Sequence, residues 1–299
     1  MQVSREFSLP AKDASLARPM ILSTRQVKAR SSRKRGCMPK ALNDMAGWGR
    51  RSHGHAESTQ LRLSARSATA TLSLHWDPKS TALIICDMWD AHWCKSAARR
   101  CSVLAPRVND FAQAGRRLGV LIVHAPTDTM TFYAGVPQRT RAKNVPIVTP
   151  PVPITWRAAS ASHERTLPID DSDGGCDDAP RCTLRFPWKR QHPAIRIAEE
   201  DFISDSGQEV YNIFVHRKIR NIFMAGVHAN KCLLTRSFGI RQMVMLGMNV
   251  ILVRDLTDSL YNPSMPPFVS HERGTELVIG HIEKYWCPSI HSSDVSSGP

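Results

Sequence analysis

Four short apolar runs set the terms on which this chain can fold. They are TALIIC at 81–86, VLIV at 120–123, NIFMA at 221–225 and NVILV at 249–253, each rich in Ile, Val or Leu and closed by an acid, a histidine, a glycine or an arginine. Runs without polar alternation are strands covered on both faces. Between the first two, Val103, Leu104, Val108, Phe111, Ala112 and Leu118 recur at a helical period and stop at Gly119. Further helices are expected at 209–217, 231–246 and 271–285, and a short third strand at 194–197. A helix between consecutive strands is the crossover that a parallel pair requires. The alternation therefore predicts an α/β, three-layer α/β/α, Rossmann-like architecture with one mostly parallel sheet and one core. No internal repeat or second domain interrupts it.

The stretch 126–192 breaks the alternation. It holds nine of the chain's 20 prolines, with Pro193 directly after it, and an acidic, glycine-bearing run DDSDGGCDD at 170–178. An insertion this long in a compact domain is functional or disordered. The acidic run lacks the distal bidentate Glu of a calcium loop, so a solvated acidic loop is expected. It also carries Cys176, which with Cys182 makes the one close cysteine pair in a polar loop.

Composition narrows the function classes. No apolar run approaches the roughly 18 residues of a membrane-spanning helix, which leaves no membrane partner. The net charge of +14 suggests nucleic acid until it is located. Residues 1–70 carry 14 Lys+Arg against 4 Asp+Glu, whereas the other 229 residues carry 26 against 22. Basicity thus belongs to the N-terminal end, which is Arg-, Ser- and Ala-rich, without an apolar period, and expected to be disordered over 1–71. A nucleic-acid reader should carry a basic face on its folded part, so that partner is disfavoured. The folded domain is expected to span 72–292, with 293–299 disordered. Eight dispersed cysteines without a CxxC pair fit reduced thiols better than a disulfide scaffold or a zinc ribbon.

Active sites of open α/β sheets lie beyond the carboxyl ends of the strands. Asp87, His124, the segment 226–232 and Asp255 occupy those positions. Cys232 follows a glycine-bearing strand at the start of a helix, where free backbone N–H groups and the helix dipole would stabilise a thiolate and could hold an oxyanion. Asp87, at the end of the first run, could take the thiol proton. Equally, cysteine is often a plain buried hydrophobe and a strand-end acid often caps a helix.

Three blocks turn this into a resemblance: TALIICDMWDAHWC at 81–94, NIFMAGVHANKCLLTRSFGIRQMVMLGMNVILVRDLTD at 221–258, and VSHERGTELVIGHIEKYWCPSI at 269–290. They resemble the isochorismatase-like cysteine hydrolases, the superfamily that includes nicotinamidases and N-carbamoylsarcosine amidases. The resemblance covers about residues 72–292. It implies that Cys232 is a nucleophile forming an acyl-enzyme and that Asp87 is the base activating it. It also implies a cis peptide at Val227–His228, with the N–H groups of His228 and Cys232 as the oxyanion hole. The family's third residue is a lysine about 33 to 42 positions before the cysteine. Here those positions hold Glu199 and, just outside, Lys189, with Arg196 nearby, so Arg196 or Lys189 would supply the cation and Arg196 is preferred for its place on the expected third strand. Some members bind a divalent metal through an acid and histidines beside the site, which points to Asp90, His92 and His124, although no cofactor is required.

The function expected is a cysteine-dependent hydrolase, an amidohydrolase related to nicotinamidases, acting on a small amide or related C–N bond. Its partner would be a small-molecule substrate, in a pocket lined by Trp89, Trp93, His124 and Tyr133, with Phe132, Trp188 and Tyr261 as further aromatics. A homo-oligomer would match the family's habit. The rivals are a non-catalytic ligand-binding or scaffold protein that has lost the lysine, and a nucleic-acid association driven by the tail.

Overall fold

The computed structural model describes residues 60–298. The expected tail, as far as residue 59, and Cys37 with it lie outside the described residues. In chain order the elements are β1 Gln60–Arg66, β2 Thr71–Trp76, β3 Thr81–Cys86, α1 Lys95–Leu118, β4 Leu121–Ala125, α2 Pro137–Lys143, β5 Phe202–Ile203, α3 Gly207–His216, β6 Asn221–Val227, α4 Cys232–Thr235, α5 Ile240–Met245, β7 Asn249–Asp258, α6 His271–Tyr285, β8 Ser289–Ile290 and β9 Val295–Gly298.

The sheet runs β2-β1-β8-β7-β6-β3-β4-β5, with β9 also paired to β1. The strands from β8 to β5 are all parallel, and β1 pairs antiparallel with β2, β8 and β9. The architecture is therefore α/β with a mostly parallel sheet. Alternation along β3 divides its side chains between two cores. Ala82, Ile84 and Cys86 join the layer that takes Val210, Ile213 and Phe214 from α3 and Val278, Ile279 and Ile282 from α6. Leu83 and Ile85 face the layer filled by Cys101, Leu104, Ala105, Val108 and Ala112 of α1. The helix α1 ends where Gly119 takes a left-handed conformation at φ 94°, which a residue without Cβ adopts freely.

Topology positions the site. From β3 the chain crosses through α1 to β4 on one side, whereas β6, on the other side of β3, leads outward to β7. The carboxyl ends of β3 and β6 thus flank the crevice at a switch point.

Four expectations shift. Folded structure is present upstream of Leu72, since β1 spans Gln60–Arg66. In β1 only Leu61, Leu63 and Ala65 are buried, alternating with exposed residues, and that alternation sits among basic residues that mask it. The C-terminal end is not loose either, since β9 pairs with β1. The segment 194–197 is not a strand. Its backbone is tied to α1 instead, with the Arg196 N–H on Asn109 Oδ1 at 3.0 Å and the Arg196 carbonyl accepting from Arg116 at 2.9 Å. The third parallel strand is β5, two residues long, paired with β4. Finally, the helix expected over 231–246 is broken into α4 and α5 by residues 236–239. The insertion holds one regular element, α2.

A buried triad anchors β5 and the end of β4. Asp201 Oδ2 lies 2.8 Å from His124 Nε2 and 2.6 Å from Arg116 Nη2. Burial would raise the Asp201 carboxyl, but hydrogen bonds from His124 and Arg116 outweigh it and bring it down to about 2. A depressed carboxyl stabilises the fold above its unfolded value near 4, and that contribution fades as pH falls toward about 2. Asp201→Asn should cost about 3 kcal/mol at pH 7 by leaving Arg116 unpaired. Urea melts should show the gap to the parent protein narrowing steadily below pH 4.

Candidate active site

Asp87 follows β3 directly and is fully buried, with φ at 49°. Aspartate tolerates this left-handed region better than most residues, and the turn aims its carboxylate into the crevice. Oδ1 accepts the Thr127 N–H at 2.8 Å. Oδ2 accepts Arg236 Nε–H at 2.8 Å, in an ion pair whose side chains are 8% and 0% exposed. Cys232 stands beside this pair, close enough for the Asp87 and Arg236 charges to act on its thiol. The Val227–His228 peptide is cis. Cys232, Asp87, Arg236 and the His228 N–H thus share one spot at the ends of β3 and β6.

The thiol differs from its expectation. Burial first, and the Asp87 charge second, push it up to about 12, against an opposing pull from Arg236. The helix dipole invoked from the sequence is missing because α4 has four residues. At neutral pH the resting group is a neutral thiol beside a carboxylate, not a preformed thiolate.

The cation is also not where the spacing placed it. Arg196 is exposed and tied to α1, away from Asp87. Lys189 is exposed as well, and its backbone N–H caps Asp90 Oδ1 at 3.0 Å. Lys231 Nζ pairs with Asp171 at 3.0 Å. Arg236 takes the place beside Asp87 because the break after α4 turns its extended backbone inward. Its guanidinium is covered by the Trp156 ring at 4.4 Å. The signal was present in the sequence, since residues four apart share a helical face, but the family spacing directed attention upstream.

The expected pocket residues divide. Trp89 stacks on Trp188 at 4.2 Å and donates Nε1–H to Thr127 O at 2.9 Å. His92 stacks near both rings and meets the His228 ring edge-on at 5.0 Å. Trp93 lies beside His92 at 5.5 Å. Tyr133 is buried, its hydroxyl accepting the Gln191 N–H, and Tyr261 is a core residue. Phe132 is 53% exposed under Arg190. Asp87, Trp89, Asp90, His92, Val227 and His228 line a cavity of about 10 Å³, the size of one water. Burial lowers both imidazoles, His92 to about 4 and His228 well below its ordinary value, so both are neutral. His228 Nε2 has no hydrogen-bond partner among the described residues.

Asp90, His92 and His124 do not assemble into a metal site. His124 spends its ring nitrogens on Gln191 and Asp201, each at 2.8 Å. Asp90 faces the insertion backbone, and His92 Nδ1 accepts the Cys94 N–H at 3.1 Å. These bonds leave no lone pair from His124 to share with the other two.

No protein-family model matches the sequence, and no similar curated protein was found. Among solved structures the chain is similar to a cysteine hydrolase from Pseudomonas syringae pv. phaseolicola 1448A, with 16% identity over 72% of this chain and 90% of that one and a TM-score of 0.44. It is also similar to an isochorismatase-like hydrolase from Alkaliphilus metalliredigens (14% identity, 72% and 93% covered, TM-score 0.42) and to an isochorismatase from Pseudomonas putida KT2440 (10%, 72% and 90%, 0.41). At these identities and scores the likeness assigns no activity, and the chemistry rests on the side chains themselves.

Arg236→Met should raise the Cys232 thiol further and slow its alkylation by iodoacetamide. It should also destabilise the fold by about 3–5 kcal/mol, because Asp87 would be left buried and unpaired. In the parent protein the alkylation rate, followed by mass spectrometry, should still climb between pH 8 and 10. A plateau near pH 7 would mean a low thiol pKa and contradict the geometry.

Proposed function

We propose that the protein is a cysteine-dependent hydrolase that cleaves a small amide or related C–N bond through an acyl-enzyme. The observation that supports this most is the buried Asp87–Arg236 ion pair beside the Cys232 thiol, at the switch point of the sheet. In this mechanism Asp87 removes the thiol proton as sulfur attacks the carbonyl carbon, which suits a thiol that does not ionise by itself. The N–H groups of His228 and Cys232 would receive the oxyanion. The proton on Asp87 passes to the departing amine. A water then attacks the thioester, Asp87 takes its proton, and the carboxylic acid leaves as sulfur recovers a proton. Arg236 cannot shuttle protons, because guanidinium stays charged. Its part is to hold Asp87 in place and to offset negative charge at sulfur.

A second reading, a non-catalytic binder of a small ligand, is favoured by that same guanidinium standing where the resemblance implies an amine. The test is ammonia release from a panel of primary amides and N-carbamoyl compounds. Cys232→Ala should reduce turnover on the order of 10³-fold or more, and Asp87→Asn by roughly 10²–10⁴-fold. Quenched parent enzyme should carry an acyl mass on the Cys232 peptide. Saturable binding with equal, negligible turnover in all three proteins would establish the binder reading instead.

A further inference from the structure

The insertion brings a second group of thiols together, away from Cys232. Cys94 precedes α1 and Cys176 lies in the acidic run; both are buried. Cys182, half-buried, follows shortly after. All three sulfurs converge on one oxygen, Asp178 Oδ2, at 3.4 Å from Cys94, 3.7 Å from Cys176 and 3.2 Å from Cys182. The ligand atoms of Cys94, Cys176 and Asp178 all lie within 4.8 Å of one another. Cys182 lies outside that close group and joins it through Asp178.

Hydrogen bonding alone does not account for this. A carboxylate oxygen offers about two lone pairs. Oδ2 faces three sulfurs and also the Ser96 N–H at 2.9 Å, and although Cys94 has a second carboxylate in reach, Asp177 Oδ1 at 3.6 Å, the other two thiols and the N–H still crowd one oxygen. Disulfide chemistry does not account for it either, because three thiols leave one unpaired and a carboxylate has no part in the bond. A tetrahedral metal does. With metal–sulfur bonds near 2.3 Å and a metal–oxygen bond near 2.0 Å, the S···O edges of the tetrahedron are about 3.5 Å. The three observed edges bracket that length.

The surroundings are arranged for anionic ligands. Two of the first backbone N–H groups of α1, which no helix can satisfy internally, donate to these atoms: Ser96 to Asp178 at 2.9 Å and Ala97 to Cys94 sulfur at 3.5 Å. The Ser96 hydroxyl and Arg99 bind the other Asp178 oxygen at 2.7 and 3.2 Å. Such outer hydrogen bonds orient ligands and spread their charge, and the N-terminus of a 24-residue helix favours the net negative charge of three thiolates, a carboxylate and a divalent ion.

We propose that Cys94, Cys176 and Asp178 form the preformed part of a structural zinc site, which Cys182 closes by moving in from its place on Asp178 when the metal binds, fastening the insertion to the start of α1. Three thiolates select a thiophilic ion, and the carboxylate with four-coordinate closure favours Zn²⁺ over copper(I) or an iron–sulfur cluster. Binding releases the thiol protons, so affinity rises with pH. The same loop reaches the hydrolase site, since Asp171 binds Asn230 Nδ2 at 2.7 Å and Lys231 at 3.0 Å. The zinc site stands or falls independently of the activity proposed above.

The test is elemental analysis of the full chain purified under reducing conditions, together with Co²⁺ substitution. One zinc per chain is expected, and the cobalt form should show thiolate-to-metal charge transfer with tetrahedral d–d bands. Cys182→Ser, the change at the most exposed ligand, should weaken Zn²⁺ binding by more than the roughly 10–100-fold that loss of an outer hydrogen bond costs a metal site. Asp178→Asn should weaken it while keeping the charge-transfer band, whereas Cys101→Ser should leave both unchanged. Zn²⁺ should raise the melting temperature of the parent but not of Cys182→Ser. Substoichiometric metal, equal affinity in the cysteine variants, or a fully reduced protein whose cobalt spectrum lacks thiolate bands would overturn the proposal.

Discussion

A carboxylate with no access to water must be held by its neighbours, and Asp87 draws its partners from two separate segments, one after β4 and one after β6. Thr127 comes from the end of β4, Arg236 from the break between α4 and α5, and Cys232 from the start of α4. None of these would meet if β3, β4 and β6 were not adjacent and parallel. The parallel order places all three carboxyl ends at one edge, and the opposite crossovers on either side of β3 open the crevice there. Removing Asp87 would leave a buried guanidinium and an unsatisfied backbone N–H, so the site and the fold share one electrostatic centre.

Much of this was legible in the sequence, for a physical reason. The runs 81–86 and 221–225 are buried on both faces, so their apolar character carries no competing signal, and the residues just beyond them, Asp87 and the segment to Cys232, fall at the crevice by topology alone. The misreadings arise where tertiary contacts override local pattern. Residues 194–197 look extended, yet their backbone bonds to Asn109 and Arg116 of α1, which carries Arg196 away from the crevice. Residues 236–239 continue a helical period, yet the chain breaks there, and this turn delivers Arg236. The strand β1 alternates cleanly, but in a basic stretch whose composition argues for disorder.

The insertion is the other feature that local sequence could not resolve. Pro-rich and acidic, it reads as a solvated loop. In the fold its acids are spent on specific partners. Asp173 binds Asn262, Asp177 binds Arg100, and Asp171 binds Asn230 and Lys231. Gly175 lies so close to Leu260 that a Cβ would come within 2.1 Å of its carbonyl oxygen. A segment without regular structure is thereby fitted closely against the residues on either side of Cys232.

The pairing of β1 with β9 has a consequence for how the molecule is made. Leu61 faces Ser297, and Leu63 faces Val295, across more than two hundred residues of chain. During synthesis β1 emerges first and waits beside β2 while the whole parallel sheet is produced. Its other edge is completed only by β8 and β9. Until these have left the ribosomal tunnel, the nascent domain carries an open strand edge.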